Sequence, residues 1–149
     1  MKIEHPDHEL FHPESDDELR ACWPVMTVLR PALGNAEAFL AACRRMAGEG
    51  YRLLAAREGG EVVALAGYRI QENLVFGRFL YVDDLVTLEA ARGRRWGARL
   101  IEALRVIADA AACRRLVLDT GLANVRAQRF YFRAGLLPLA LRFAADIAA

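Results

Sequence analysis

At 149 residues the chain has the length of one compact domain, and 55% hydrophobic against 26% charged residues excludes a disordered polymer. A formal net charge of +1 excludes a protein-wide field that would draw it to nucleic acid or an anionic membrane. No apolar run approaches the roughly twenty residues that cross a bilayer, and the acidic start, MKIEHPDHELFHPESDDEL, is not expected to act as a signal peptide. The expectation is one domain over residues 1–149, soluble and cytoplasmic, with no nucleic-acid or membrane partner.

His5, His8 and His12 fall within the first dozen residues, but Pro6 and Pro13 flank them and no cysteine joins them. A floppy or strand-edge start is expected there, and no metal. Ser15-Asp16-Asp17-Glu18 is a capping box, followed by Leu19, Cys22, Trp23, Met26 and Leu29 at helical spacing. Pro24 predicts a kink or a restart in that helix. Asn35 caps a second helix with Phe39, Leu40, Cys43 and Met46 on its apolar face, ended by Gly48 and Gly50.

The period then changes. Tyr51 to Arg57 and Glu61 to Ile70 read as strands joined at Gly59-Gly60, and Gln71-Glu72-Asn73 reads as the next turn. Arg78 to Thr87 is a third, central strand carrying the acidic pair Asp83-Asp84. Leu88 to Trp96 is polar and basic. From Gly97 the residues Leu100, Ile101, Leu104, Ile107, Ala108 and Ala111 restore a helical stripe. Leu116-Val117-Leu118 is a buried strand, Asn124 caps a helix ended by Gly135, and Leu136 to Phe143 supplies one or two closing strands. The order implies mixed α/β, antiparallel first and with a βαβ crossover later.

The segment Arg92-Gly93-Arg94-Arg95-Trp96-Gly97-Ala98 lies between a predicted strand and a predicted helix. A helix start leaves N–H groups unpaired and carries positive potential, so an anion such as a phosphate fits there. Arg92, Arg94, Arg95 and Arg99 add guanidiniums. By itself such a loop is also consistent with a solvated basic turn. Asp83 and Asp84, adjacent on a strand, should face opposite sides of the sheet. Cys22, Cys43 and Cys113 show neither a CxxC pairing nor a histidine partner, so neither a disulfide nor a covalent intermediate is expected.

Strand, RGxxxG-type loop, amphipathic helix, strand, then Asn124-x-x-Ala127-x-x-Phe130-Tyr131-x-x-Ala134-Gly135-Leu136 resemble the GCN5-related N-acetyltransferase (GNAT) family over residues 9 to 143. The resemblance implies a mostly antiparallel, twisted sheet of six to seven strands flanked by about four helices. It implies an acyl-CoA-dependent enzyme that moves the acetyl group of acetyl-CoA to a primary amine by direct attack. Leu85, Val86 and Thr87 would meet the pantetheine arm. Arg92, Gly93, Arg94, Arg95, Trp96, Gly97 and Ala98 would take the pyrophosphate, and Asn124 would sit beside the thioester. Tyr131 would protonate the departing thiolate, and the Val86 N–H would stabilise the oxyanion. Asp83 would serve as base or as ammonium binder, with Asp119 a second acidic candidate. Arg95 stands where the family has its first motif glycine.

The acceptor could be a small cationic amine or a protein lysine. The carboxylates favour the small amine, and Trp23, Met26, Arg30, Arg78 and Phe79 are candidate lining. Family habit implies a homodimer with the C-terminal strands as its seam. Two other readings stay open: a non-catalytic CoA-binding sensor or scaffold of this fold, and a nucleotide- or RNA-binding α/β domain using the arginine cluster, which the near-neutral charge disfavours.

Overall fold

The computed structural model describes residues 8–148, so His5, part of the expected floppy or strand-edge start, lies outside the described residues. The chain forms two compact units, Met1–Leu118 and Asp119–Ala149.

The first unit carries β1 (His8–Phe11), α1 (Asp16–Leu29), α2 (Ala36–Ala47), β2 (Arg52–Glu58), β3 (Glu61–Asn73), β4 (Gly77–Thr87), α3 (Trp96–Ala110) and β5 (Arg115–Leu118). These strands make one five-stranded sheet in the order β1-β2-β3-β4-β5, antiparallel except for β4 against β5. α3 is the crossover between those two parallel neighbours, as a parallel pair requires.

Local chemistry sets the helix ends. Ser15 Oγ accepts from the Glu18 N–H while the Glu18 carboxylate accepts from the Ser15 N–H, so the capping box is complete. Asn35 caps α2 through its side-chain oxygen and the Ala38 N–H at 2.8 Å. α1 runs unbroken through Pro24, so the expected restart does not occur. Pro24 is exposed, while Cys22, Val25 and Met26 beside it are buried, and that packing holds the turn in place.

Side-chain alternation in β2 and β3 sorts the core into two layers. Leu54, Ala56, Ala64, Ala66 and Tyr68 pack with Trp96, Leu100 and Leu104 of α3. Leu53, Ala55 and Leu65 pack with Cys22, Met26, Phe39 and Cys43 of α1 and α2. β3 extends to Asn73, so the turn falls at residues 74–76 rather than at the predicted Gln71-Glu72-Asn73. There the Asn73 side-chain oxygen accepts from the Phe76 N–H at 2.7 Å.

The second unit holds α4 (Val125–Arg133). Asn124 caps it through the Ala127 N–H at 3.1 Å, and Gln128 Nε2 donates to the carbonyls of Gly121 and Leu122. At its other end the Leu136 N–H reaches the Tyr131 carbonyl and the Gly135 N–H reaches that of Phe132, with Gly135 at φ 87. This is the Schellman arrangement.

The expected closing strands over Leu136 to Phe143 do not form, and the sheet has five strands among the described residues rather than six to seven. Pro138 removes one ladder donor, and a strand exists only against a partner edge. No described strand pairs with this segment, and Leu137, Leu139, Leu141 and Phe143 stay exposed.

Candidate active site

β4 runs with two neighbours only as far as Val82. β5 matches Phe79 to Val82 and stops at Leu118, whereas β3 stays paired with β4 to Thr87. Beyond Val82 the outer edge of β4 therefore lies open among the described strands, and Leu85, Val86 and Thr87 lie along it. Open edges expose main-chain donors and acceptors to an extended ligand.

A bulge sits where the edge opens. Gly67 is opposite Asp84 and Tyr68 opposite Val82, which leaves Asp83 as the extra residue. The bulge reverses the side-chain sense of the strand. Leu80 and Val82 belong to the α3 layer, but Val86, also even-numbered, belongs to the α1/α2 layer.

This corrects the expectation that Asp83 and Asp84 face opposite sides, because both enter one polar cluster. The Asp84 carboxylate accepts from the Tyr51 hydroxyl at 2.6 Å and from Arg30 Nε at 2.9 Å. The Asp83 carboxylate accepts from Arg69 Nε at 3.0 Å, and its carbonyl accepts from Arg30 Nη2 at 3.0 Å. Arg69 also pairs with Glu49 at 3.6 Å and lies over the Tyr51 ring. Burial pushes the Asp83 carboxyl up, against a downward pull from Arg69. Burial and the neighbouring Asp84 also push the Tyr51 phenol up, so that it stays a donor.

Tyr51, Gly67 and Arg69 were missed in the sequence. A Cβ on Gly67 would stand 2.1 Å from the Tyr51 hydroxyl and 2.5 Å from Asp84 Oδ2, so only glycine admits that hydrogen bond. A lone glycine inside an apolar strand was the available signal.

The basic loop begins after a 3-10 turn at Glu89–Ala91. Gly93 has φ 86, and Arg95 is left-handed at φ 63, ψ 27. For a side-chain-bearing residue that conformation costs about 1–2 kcal/mol. Arg95 is the N-cap of α3 without a side-chain cap, and the first intrahelical bond runs from the Arg99 N–H to the Arg95 carbonyl. The Gly97 and Ala98 N–H groups therefore precede any intrahelical acceptor, as at every helix start.

The Trp96 side chain is 1% exposed and belongs to the core, so a ligand contact from this residue falls to its main chain. Its indole N–H donates to the Glu58 carboxylate, which also pairs with Arg94 at 3.3 Å. Arg94 donates in addition to the Ala90 carbonyl at 2.7 Å, and Arg99 lies 3.9 Å over the Trp96 ring. Among the described residues neither Arg92 nor Arg95 forms an ion pair.

In the second unit, Tyr131 is half-buried, and burial pushes its phenol up. Asp119 pairs with Arg142 at 2.7 Å.

A strand, a basic loop and an amphipathic helix follow one another in the order that carried the resemblance, and the acetyltransferase (GNAT) family model matches residues 8–136. The chain belongs to the GNAT family. An uncharacterised N-acetyltransferase of Bacillus subtilis, YhdJ, is 31% identical over 120 residues, covering 78% of this chain and 82% of that protein. Among solved structures, the aminoglycoside N-acetyltransferase AAC(6')-Iy in complex with CoA superposes with a TM-score of 0.83 at 17% identity, covering 95% of each chain. AAC(6')-Ih of Acinetobacter baumannii gives 0.78 at 15% identity, covering 95% of this chain and 99% of its own. At such identities the two structures speak for the fold. This GNAT protein is an acyl-CoA-dependent N-acetyltransferase with acetyl-CoA as its co-substrate. None of its described helices is long and apolar enough to cross a membrane.

Of the expected acceptor lining, Met26 and Phe79 are buried in the GNAT core and Trp23 packs on Phe39. Arg78 donates to the Ala111 carbonyl, and Arg30 holds the bulge. The two carboxylates that favoured a cationic acceptor are each already paired with a guanidinium.

Proposed function

We propose that the open edge of β4 beyond Val82 receives the pantetheine arm along Leu85, Val86 and Thr87. Because the Leu88 N–H is paired with the Val63 carbonyl, the ladder turns the Val86 N–H toward β3 as well. The donor that faces the thioester oxygen is then the N–H of Leu85 or Thr87 rather than the expected Val86. The observation that carries this reading is the coincidence of that edge with a left-handed entry into α3. The residues present fit the group. The Gly97 and Ala98 N–H groups lie in the first turn of α3, at its positive end, and Arg92 and Arg95, which form no ion pair among the described residues, are available for the pyrophosphate. Arg94 contributes its main chain, since its guanidinium is engaged by Glu58.

In the proposed mechanism the amine attacks the thioester carbonyl directly, and the oxyanion is held by a main-chain donor. Asp83 takes the ammonium proton, directly or through water, and its raised pKa suits a base better than an ordinary aspartate would. Tyr131 gives a proton to the CoA thiolate, and its raised pKa supports the role because the phenol is protonated wherever the enzyme works. Asn124 contributes by capping α4, which carries Tyr131. The chain works as one transferase domain, a reading supported by a family match that runs across both units.

The acceptor is a small-molecule amine rather than a protein. AAC(6')-Iy and AAC(6')-Ih are aminoglycoside acetyltransferases by name, and they lend support to that class. The exposed period-two row Leu137, Leu139, Leu141 and Phe143 supports a homodimer seam. Free Cys22, Cys43 and Cys113 support a reducing, cytoplasmic setting, and the net charge supports no nucleic-acid role.

A thiol-release assay with acetyl-CoA against a panel of small amines tests the proposal. Turnover that falls with Tyr131→Phe supports it; CoA binding without turnover on any amine would favour the sensor instead.

A further inference from the structure

Glu58 ends β2 just before the Gly59-Gly60 turn, far in sequence from the basic loop. Its side chain is only 14% exposed, and both carboxylate oxygens are used. Oε1 accepts from the Trp96 indole N–H, and Oε2 meets Arg94 Nη1 at 3.3 Å. Trp96 is the first residue of α3, next to the left-handed Arg95, and Arg94 precedes it. One carboxylate therefore grips both sides of the strained residue at the helix start. Arg94 is held again by its bond to the Ala90 carbonyl, and the Trp96 ring carries Arg99 on its face.

We infer that Glu58 is a positioning residue for acetyl-CoA: it locks the entry of α3 so that the loop's N–H groups are aligned before the diphosphate arrives. This rests on the proposed role of residues 92–98. Without the brace, the left-handed Arg95 has a less strained alternative, and the loop must be ordered by the ligand at a cost to affinity. Arg94 then acts through the brace rather than as a phosphate ligand, which leaves Arg92 and Arg95 as the cations that reach the anion.

The test compares wild type, Glu58→Gln, Arg94→Gln and the double variant, by calorimetry with CoA and by steady-state kinetics with acetyl-CoA. Glu58→Gln keeps an oxygen for the indole and so guards against loss of the fold. The expected result is a rise in KM for acetyl-CoA, and in Kd for CoA, on the order of five- to tenfold, with kcat and the acceptor KM within about twofold. The double variant should be no worse than the worse single, since both remove one brace. Glu61→Gln on the same hairpin is the control and should leave KM unchanged. A Glu58→Gln enzyme that binds CoA as well as or better than wild type, or additive effects with Arg94→Gln, would overturn the inference. Wild type failing to bind CoA would instead refute the loop's role.

Discussion

The Tyr51 hydroxyl hydrogen-bonds Asp84 at 2.6 Å directly over the bare Cα of Gly67. Through that bond the start of β2 is tied to the β4 bulge, and through Arg30 the end of α1 is tied to the same carboxylate. The place where β4 loses its β5 partner is thus braced from two other elements.

Gly67→Ala should destabilise the protein by about 1–3 kcal/mol, because the methyl group must displace the phenol or the carboxylate. Tyr51→Phe removes the hydroxyl and should cost about 1–2 kcal/mol by itself. In the double variant the hydroxyl is gone, although the ring Cζ and the Asp84 carboxylate still crowd the alanine, so the combined loss should be somewhat smaller than the sum. Urea denaturation of the four proteins measures the coupling.

Arg95→Gly relieves the left-handed strain at φ 63 but loosens the unfolded chain. The net expectation is a gain of about 0.5–1 kcal/mol, together with a several-fold higher KM for acetyl-CoA if the guanidinium meets the pyrophosphate. Thermal unfolding and initial rates read the two effects separately, and a lower stability would contradict the strain argument.

Asp83 and Tyr131 should frame the pH profile. Burial raises the Asp83 pKa, so activity should be lost as pH falls through a value above the ordinary aspartate range, and be fully present above it. Burial also raises the Tyr131 pKa, so the plateau should extend past the usual phenol range before a basic limb begins. Asp83→Asn should abolish the acid limb and lower kcat by about 10²–10⁴-fold. A profile of kcat against pH for wild type, Asp83→Asn and Tyr131→Phe checks each limb.

Cys22 and Cys43 should be inert in the native protein. Burial pushes Cys22 up to about 12 and Cys43 up to about 11, so both are neutral thiols near pH 7.5. Iodoacetamide should leave both unmodified until the protein unfolds, and should leave acetyl transfer intact. Peptide mass spectrometry after native and denatured labelling decides this.

Much of this was legible because the signals are local. The capping box at Ser15, the Asn35 and Asn124 caps, the Gly59-Gly60 hairpin and the stripe of α3 each depend on residues within one or two turns. The basic loop at the head of α3 was legible for the same reason. β1 was legible only as one of two alternatives, a floppy or a strand-edge start, since His8–Phe11 is too short to show a period and forms by pairing with β2. The apolar run after Leu136 misled in the opposite direction, because its pattern says nothing about whether an edge is there to receive it.

By itself the sequence determined the family, the order of helices and strands from α1 through β5 and α4, and the helix start that suits a diphosphate. Tertiary structure alone decided which way the acidic pair points, since a single unmatched residue in the β3–β4 register turns the rest of the strand over. It also decided that Trp96 is core and that Glu58 meets Arg94. These contacts join segments 14 to 54 residues apart, and only their packing into one sheet and its covering helices creates them.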